Sequence, residues 1–171
     1  MAWLRRSAFA PPPSPVVAVG LPIASVMLAS LAPVLPLVAT APVMPPFGYL
    51  MLIAWRLLRP GVFPVWIGIP LGLFDDLLSG NPLGTALALW TASLVALDVI
   101  EMRLPFNDLW QSWLLAAGFT ILYLLAAELL TRFTGPTPSP AYLLPQVFAS
   151  AILFPAVMQL CLRLDRWRLG R

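Results

Sequence analysis

Between Ser7 and Trp55 the chain carries no charged side chain, and residues 60–74, 77–97, 109–127 and 133–162 are equally free of charge. A helix crossing the hydrocarbon core of a bilayer needs about 20 consecutive apolar residues. A soluble domain cannot leave such runs uncharged, because covering its surface takes roughly 25% charged residues. Here 60% of the 171 residues are apolar and 10% are charged. Twenty prolines would disfavour a soluble helical bundle, whereas membrane helices tolerate proline where neighbours satisfy the freed backbone. The expected fold is therefore all-α, one polytopic transmembrane bundle.

The uncharged runs divide into six candidate spans: Val16–Val38, Phe47–Leu58, Val62–Leu78, Leu83–Leu97, Leu109–Leu130 and Ala141–Leu162. A proline-rich leader, residues 1–15, precedes them, and an arginine-rich tail, residues 163–171, follows. The break between the first two spans falls on Pro42, Pro45 and Pro46. The second span is short, since 12 residues rising 1.5 Å each cover only about 18 Å, so a re-entrant half-span is the alternative. Charge arbitrates. With six spans and both termini cytoplasmic, Arg5, Arg6, Arg56, Arg59, Arg103, Arg163, Arg166, Arg168 and Arg171 lie inside and only Arg132 lies outside, a strong positive-inside bias. Trp3, Trp55, Trp110, Trp113 and Trp167 fall near the predicted inner ends, where indoles favour the headgroup level. A cleavable leader ending at Ala39-Thr40-Ala41 is the competing reading of the first span, but its apolar region exceeds the usual 7–15 residues.

Several chemistries are excluded. The chain has no histidine, so an imidazole-assisted nucleophile and the common zinc sites are not expected. All ten basic residues are arginine. They flank apolar runs rather than forming the basic stripe of a nucleic-acid binder. Cys161 is the single cysteine, expected as an inert packed thiol. No metal, cofactor or catalytic residue is predicted.

Acidic residues inside membrane segments are costly and are functional candidates by default. Gly68, Gly72, Asp76 and Gly80 recur at four-residue intervals on one helix face, and small residues at that spacing admit a second helix backbone. Asp76 should then face protein, serving either packing or direct recognition of a partner or ligand. Asp75 lies off this ridge and is expected to cap or hydrate at the interface. Ser79 could hydrogen-bond either aspartate, and Asn81 could cap the next helix. Glu128 and Arg132 have intrahelical ion-pair spacing and, with Asp75 and Asp76, would form an outer polar cluster. Asp98, Glu101, Arg103 and Asp108 mark the longest charged inner loop, which is either a docking surface for a cytoplasmic partner or a solvated turn.

The stretch from Gly72 to Gly84, GLFDDLLSGNPLG, resembles the signature of the bacterial rod shape-determining MreD family. Gly72, Asp76, Ser79, Gly80, Leu83 and Gly84 are the matching residues, and Asp75 departs from the pattern, the family usually having an apolar residue there. The proline-rich approach to the helix ending at Trp55, then Arg59-Pro60, and the last span with Pro155 and a basic tail, look similar to the family too. The resemblance implies a non-enzymatic component of the cell-wall elongation machinery in the bacterial inner membrane. Its implied partners are MreC, MreB directly or through MreC, RodA and a class B penicillin-binding transpeptidase. The runner-up is a small transporter subunit similar to energy-coupling-factor vitamin-binding components, for which the chain offers few polar groups to line a site.

Overall fold

The computed structural model describes residues 15–34, 44–80, 82–103, 108–133 and 143–168. Every regular element among these residues is helical, and no strand occurs among them. Six α-helices follow in chain order: α1 Pro15–Ser30, α2 Phe47–Leu58, α3 Gly68–Ser79, α4 Thr85–Arg103, α5 Leu109–Arg132 and α6 Leu143–Arg168. Short 3-10 turns at Ala32–Val34 and Val65–Ile67 extend α1 and precede α3.

Three helices, α4, α5 and α6, are long and apolar enough to cross a membrane. Of the other three, α2 has the bounds expected, Phe47–Leu58, while α1 and α3 are shorter than the expected spans. Regular α1 ends at Ser30 rather than Val38, with Pro33 two residues beyond Leu31 and unable to donate an amide to a continuing helix. The third span begins as a 3-10 turn after Pro64, and α3 itself has 12 residues. At the other ends the helices overrun the prediction. α4 continues six residues past Leu97 to Arg103, and α6 passes Leu162 to Arg168, so residues 163–168 are helix and not a separate tail. Residues 1–14 of the leader, Trp3 among them, and the Ala39-Thr40-Ala41 sequence lie outside the described residues, and Pro15 already belongs to α1.

The short α2 is the centre of the molecule. Gly48 through Arg56 are buried without interruption, and α2 packs against α1, α5 and α6. Burial on every face is what a helix hydrophobic all round calls for. Its polar groups find partners inside the protein. The Tyr49 hydroxyl lies 2.8 Å from Ser93 Oγ on α4, and the Tyr49 ring stacks on Tyr123 of α5 with centroids 4.2 Å apart. The Trp55 indole donates to Ser25 Oγ on α1 at 2.8 Å.

Trp55 is thus a core residue with no exposed surface, not part of an interfacial belt. Trp113 also turns inward. Pro155 in α6 has no N–H for the carbonyl of Ala151, one turn back, and the Trp113 indole donates to that oxygen at 3.1 Å. Trp110 and Trp167 remain exposed, at 65% and 72%, as a belt requires. Cys161 is fully buried with its sulfur 3.2 Å from Met51 Sδ.

Candidate functional site

The residues of the Gly72–Gly84 signature build one hairpin, α3 packed along α4. Backbones at Gly68 and Gly72 approach α4 so closely that a methyl group would not fit. A Cβ on Gly68 would lie 2.8 Å from Thr91 Cα, and one on Gly72 would lie 2.6 Å from Leu87 Cα. At Gly68 and Gly72 the predicted ridge is therefore a packing seam, and its partner is the next helix of the same chain; Gly80, the last member of that ridge, lies beyond the end of α3 with nothing within 4 Å of a Cβ built there. The turn leaving α3 needs two more glycines. Gly80 ends α3 with φ of 71° and Gly84 precedes α4 with φ of 97°, a region glycine enters without the steric penalty of a Cβ.

Asp76 closes the hairpin. The first four amides of any α-helix lack intrahelical acceptors, and at α4 each one is accounted for. Thr85 N donates to Pro82 O and Ala88 N to Gly84 O. The remaining two reach across to Asp76: Ala86 N donates to Oδ1 at 2.8 Å and Leu87 N to Oδ2 at 3.2 Å, while Gly84 N also donates to Oδ2 at 2.9 Å. A carboxylate at a helix N-terminus also meets the positive end of the helix dipole. Asp76 is 2% exposed, so these three N–H groups replace the water it gave up. Asn81, proposed as the cap of this helix, lies outside the described residues. Ser79 bonds neither aspartate; its hydroxyl is buried without a hydrogen-bond partner.

Asp75 departs from expectation. It is 8% exposed, turned into the bundle rather than toward an interface. Its carboxylate and the Ser30 hydroxyl converge on Gly48 of α2, where a Cβ would sit 3.0 Å from Asp75 Oδ1 and 2.1 Å from Ser30 Oγ. The same added carbon would meet the Trp90 ring at 3.1 Å. Gly48 is thus the gap that lets α1, α2, α3 and α4 bring these side chains together.

The predicted outer cluster does not assemble. Glu128 and Arg132 form the expected pair on α5 at 3.3 Å, but no ion pair or hydrogen bond among the described residues joins it to Asp75 or Asp76. The predicted docking loop is also redistributed. Asp98 and Glu101 lie on α4 and both pair with Arg56 of α2, Glu101 at 2.7 Å. Arg56 is only 5% exposed, so its charge is neutralised inside the protein and not displayed. Arg103 and Asp108 are exposed, and residues 104–107 between them lie outside the described residues.

A second ion cluster has no counterpart among the predicted site residues. Asp165 of α6 accepts from Arg59 at 2.8 Å and pairs with Arg168 at 3.1 Å, while the Arg168 guanidinium lies 5.7 Å from the centroid of the Trp55 ring. One sequence signal could have found it. Asp165 is an isolated acid between Arg163 and Arg166, and burying an acid there requires arginine partners. Together the two clusters tie α2 to α4 and to α6 at one end of the bundle.

The comparisons with known proteins add no relative. No protein-family model matches the chain, and no curated protein or solved structure does either. Among the described residues no group of histidine, cysteine and acidic side chains has the arrangement of a metal site.

Proposed function

We propose that this chain is a membrane-embedded, non-enzymatic component of the bacterial cell-wall elongation machinery, similar to the MreD family. It would act by packing against membrane partners so that peptidoglycan is inserted along the side wall of a rod-shaped cell. The observation that carries this reading is the α3–α4 hairpin. Gly72, Asp76, Gly80 and Gly84, four of the residues that carry the resemblance, each perform a backbone task in that one unit. The interior otherwise holds tightly packed aromatic and ion-paired side chains suited to a rigid scaffold. On this reading the partners are MreC, MreB directly or through MreC, RodA and a class B transpeptidase, and the site of action is the inner membrane. The runner-up, a vitamin-binding transporter subunit, draws on the buried Asp75 carboxylate beside Ser30, and saturable vitamin binding by the purified protein would favour it.

The test is replacement. Expression of this chain in a rod-shaped bacterium depleted of its own MreD is expected to restore rods. The chain is also expected to co-purify, in mild detergent, with MreC co-expressed from the same source. Cells that stay spherical, with no MreC recovered, would sink the proposal.

Topology is a separate expectation. Six crossings with cytoplasmic termini follow from the arginine distribution. In a Cys161→Ser background, single cysteines at Leu83 and Ser139 should react with an impermeant thiol reagent from the periplasm, and one at Ser7 only after the membrane is opened. Leu83 is 70% exposed at the α3–α4 turn, so lack of labelling there would not be a matter of burial. Periplasmic labelling at position 7 would refute the assignment.

A further inference from the structure

At the C-terminal half of α6 a groove of about 380 Å³ opens between α6 and the start of α5, lined by Trp110, Trp113, Pro155, Met158, Gln159 and Leu162. The buried side chains of Phe154 and Met158 line its inner side; Pro155 frees the Ala151 carbonyl that holds the Trp113 indole, and Trp113 in turn stacks on Trp110 with centroids 5.1 Å apart. The outer wall is missing, so the trough faces the surroundings of the bundle.

The stripe that lines it continues past its end. Pro155, Gln159, Leu162 and Arg166 succeed one another at steps of four, three and four residues, which is one helix face, and Arg163 flanks that face one turn beyond Gln159. Both arginines are exposed. Neither is within ion-pairing distance of a carboxylate among the described residues, and Arg166 Nε donates to the Leu162 carbonyl at 3.4 Å. The contrast with their neighbours is informative, because Arg59 and Arg168 share Asp165. Asp108, exposed at the start of α5, pairs with neither arginine. From Pro155 to Arg166 the stripe rises 11 residues at 1.5 Å each, about 16 Å, which is one leaflet of a hydrocarbon core about 30 Å thick.

From this geometry we infer that the α5–α6 groove binds an anionic phospholipid, its acyl chain along Pro155, Gln159 and Leu162 and its phosphate on Arg163 and Arg166. An apolar trough one leaflet long, ending in two uncompensated guanidiniums, has the complementarity of such a lipid. Guanidinium forks match phosphate oxygens, and basic pockets at the cytoplasmic ends of membrane helices recruit acidic headgroups. A zwitterionic lipid would fill the same trough without net attraction to the arginines. The inference goes beyond the elongation role and rests only on α5 and α6 lying in a bilayer.

The experiment is native mass spectrometry of the delipidated full chain, titrated in detergent with phosphatidylglycerol or phosphatidylethanolamine of matched chains. Phosphatidylglycerol should be retained roughly tenfold better, the scale expected of two arginines near an acidic headgroup. Arg163→Gln with Arg166→Gln should abolish that preference, and Gln159→Trp, which fills the trough and leaves both charges, should lower retention of either lipid. Equal retention of the two lipids by the wild type overturns the proposal, as does an Arg163→Gln/Arg166→Gln protein that keeps the preference. Full displacement by inorganic phosphate, or no effect of Gln159→Trp, would show a phosphate site without a lipid groove and would refute it too. The wild-type comparison stands even if a variant folds poorly.

Discussion

Asp76→Leu is expected to unfold the α3–α4 hairpin locally and to abolish rod restoration in depleted cells. Leucine removes the acceptor for Gly84, Ala86 and Leu87 N–H at a site with 2% exposure, where water cannot take over. Each buried donor left without a partner costs about 1–3 kcal/mol. With roughly 2–4 °C lost per kcal/mol in a chain of this size, the apparent melting temperature in detergent should fall by about 10 °C or more. Asp76→Asn separates charge from hydrogen bonding. Its one oxygen, placed where Oδ2 sits, keeps the bonds from Gly84 and Leu87, but its NH2 group then faces Ala86 N–H, donor against donor. The asparagine variant should therefore lie between wild type and leucine in melting temperature and in rescue. Leu77→Ala, at a residue 67% exposed on the same helix, is the control and should change neither readout. Asp75→Asn cannot serve as that control, because Asp75 is buried against Ser30 and Gly48. If the leucine variant melts with wild type and supports rods, the capping role is wrong.

What the sequence reveals here depends on which physical signal a feature leaves. Length and charge-free runs mark where helices stand, because a charge inside hydrocarbon is costly whatever the fold, and six helices occupy the six predicted stretches. The same signal misplaces their ends. Asp98 and Glu101 look like the edge of water, yet α4 runs past them because Arg56 of α2 meets them from across the bundle. A pairing between residues 42 and 45 positions apart leaves no local trace. Hydrophobicity also cannot distinguish the buried helix from the lipid-facing one in a chain apolar on every face. The central place of α2 was therefore invisible, and its shortness pointed the other way, toward a half-span. The Gly68–Gly72 ridge was legible because close helix approach demands small residues at fixed spacing. Which helix it meets was not, since a seam within the chain and one to a partner make the same demand. Asp75 and Asp76 differ by one position and so by about 100° around the helix. That places Asp76 beneath the amides of α4 and Asp75 beneath Gly48, a distinction that required the positions of α2 and α4.

Gly72 gives the second large expected effect. In many helix pairs a glycine-to-alanine change stabilises by restricting the unfolded chain, and Gly72 has ordinary helical geometry inside α3, so backbone freedom alone would favour alanine. Space decides against it. The added Cβ would lie 2.6 Å from Leu87 Cα and 2.7 Å from both Leu87 N and Ala86 O, atoms of a helix backbone that cannot swing away like a side-chain tip. α3 would have to move off α4, and that movement would pull Asp76 from the same Ala86 and Leu87 amides it caps. Overpacking alone costs about 1–3 kcal/mol, and loss of the cap adds about 0.5–2 kcal/mol, so Gly72→Ala should lower the melting temperature and Gly72→Leu should prevent recovery of monodisperse protein. The two losses are coupled through one displacement, so Gly72→Ala combined with Asp76→Asn should cost less than the sum of the single changes. Gly20 offers the contrast, since nothing lies within 4 Å of a Cβ built there. Gly20→Ala should be neutral to stabilising, its helix propensity improved by about 1 kcal/mol. A Gly72→Ala protein that melts at or above the wild-type temperature would mean that α3 and α4 are not in close backbone contact, and that the hairpin is not held by the seam and cap described here.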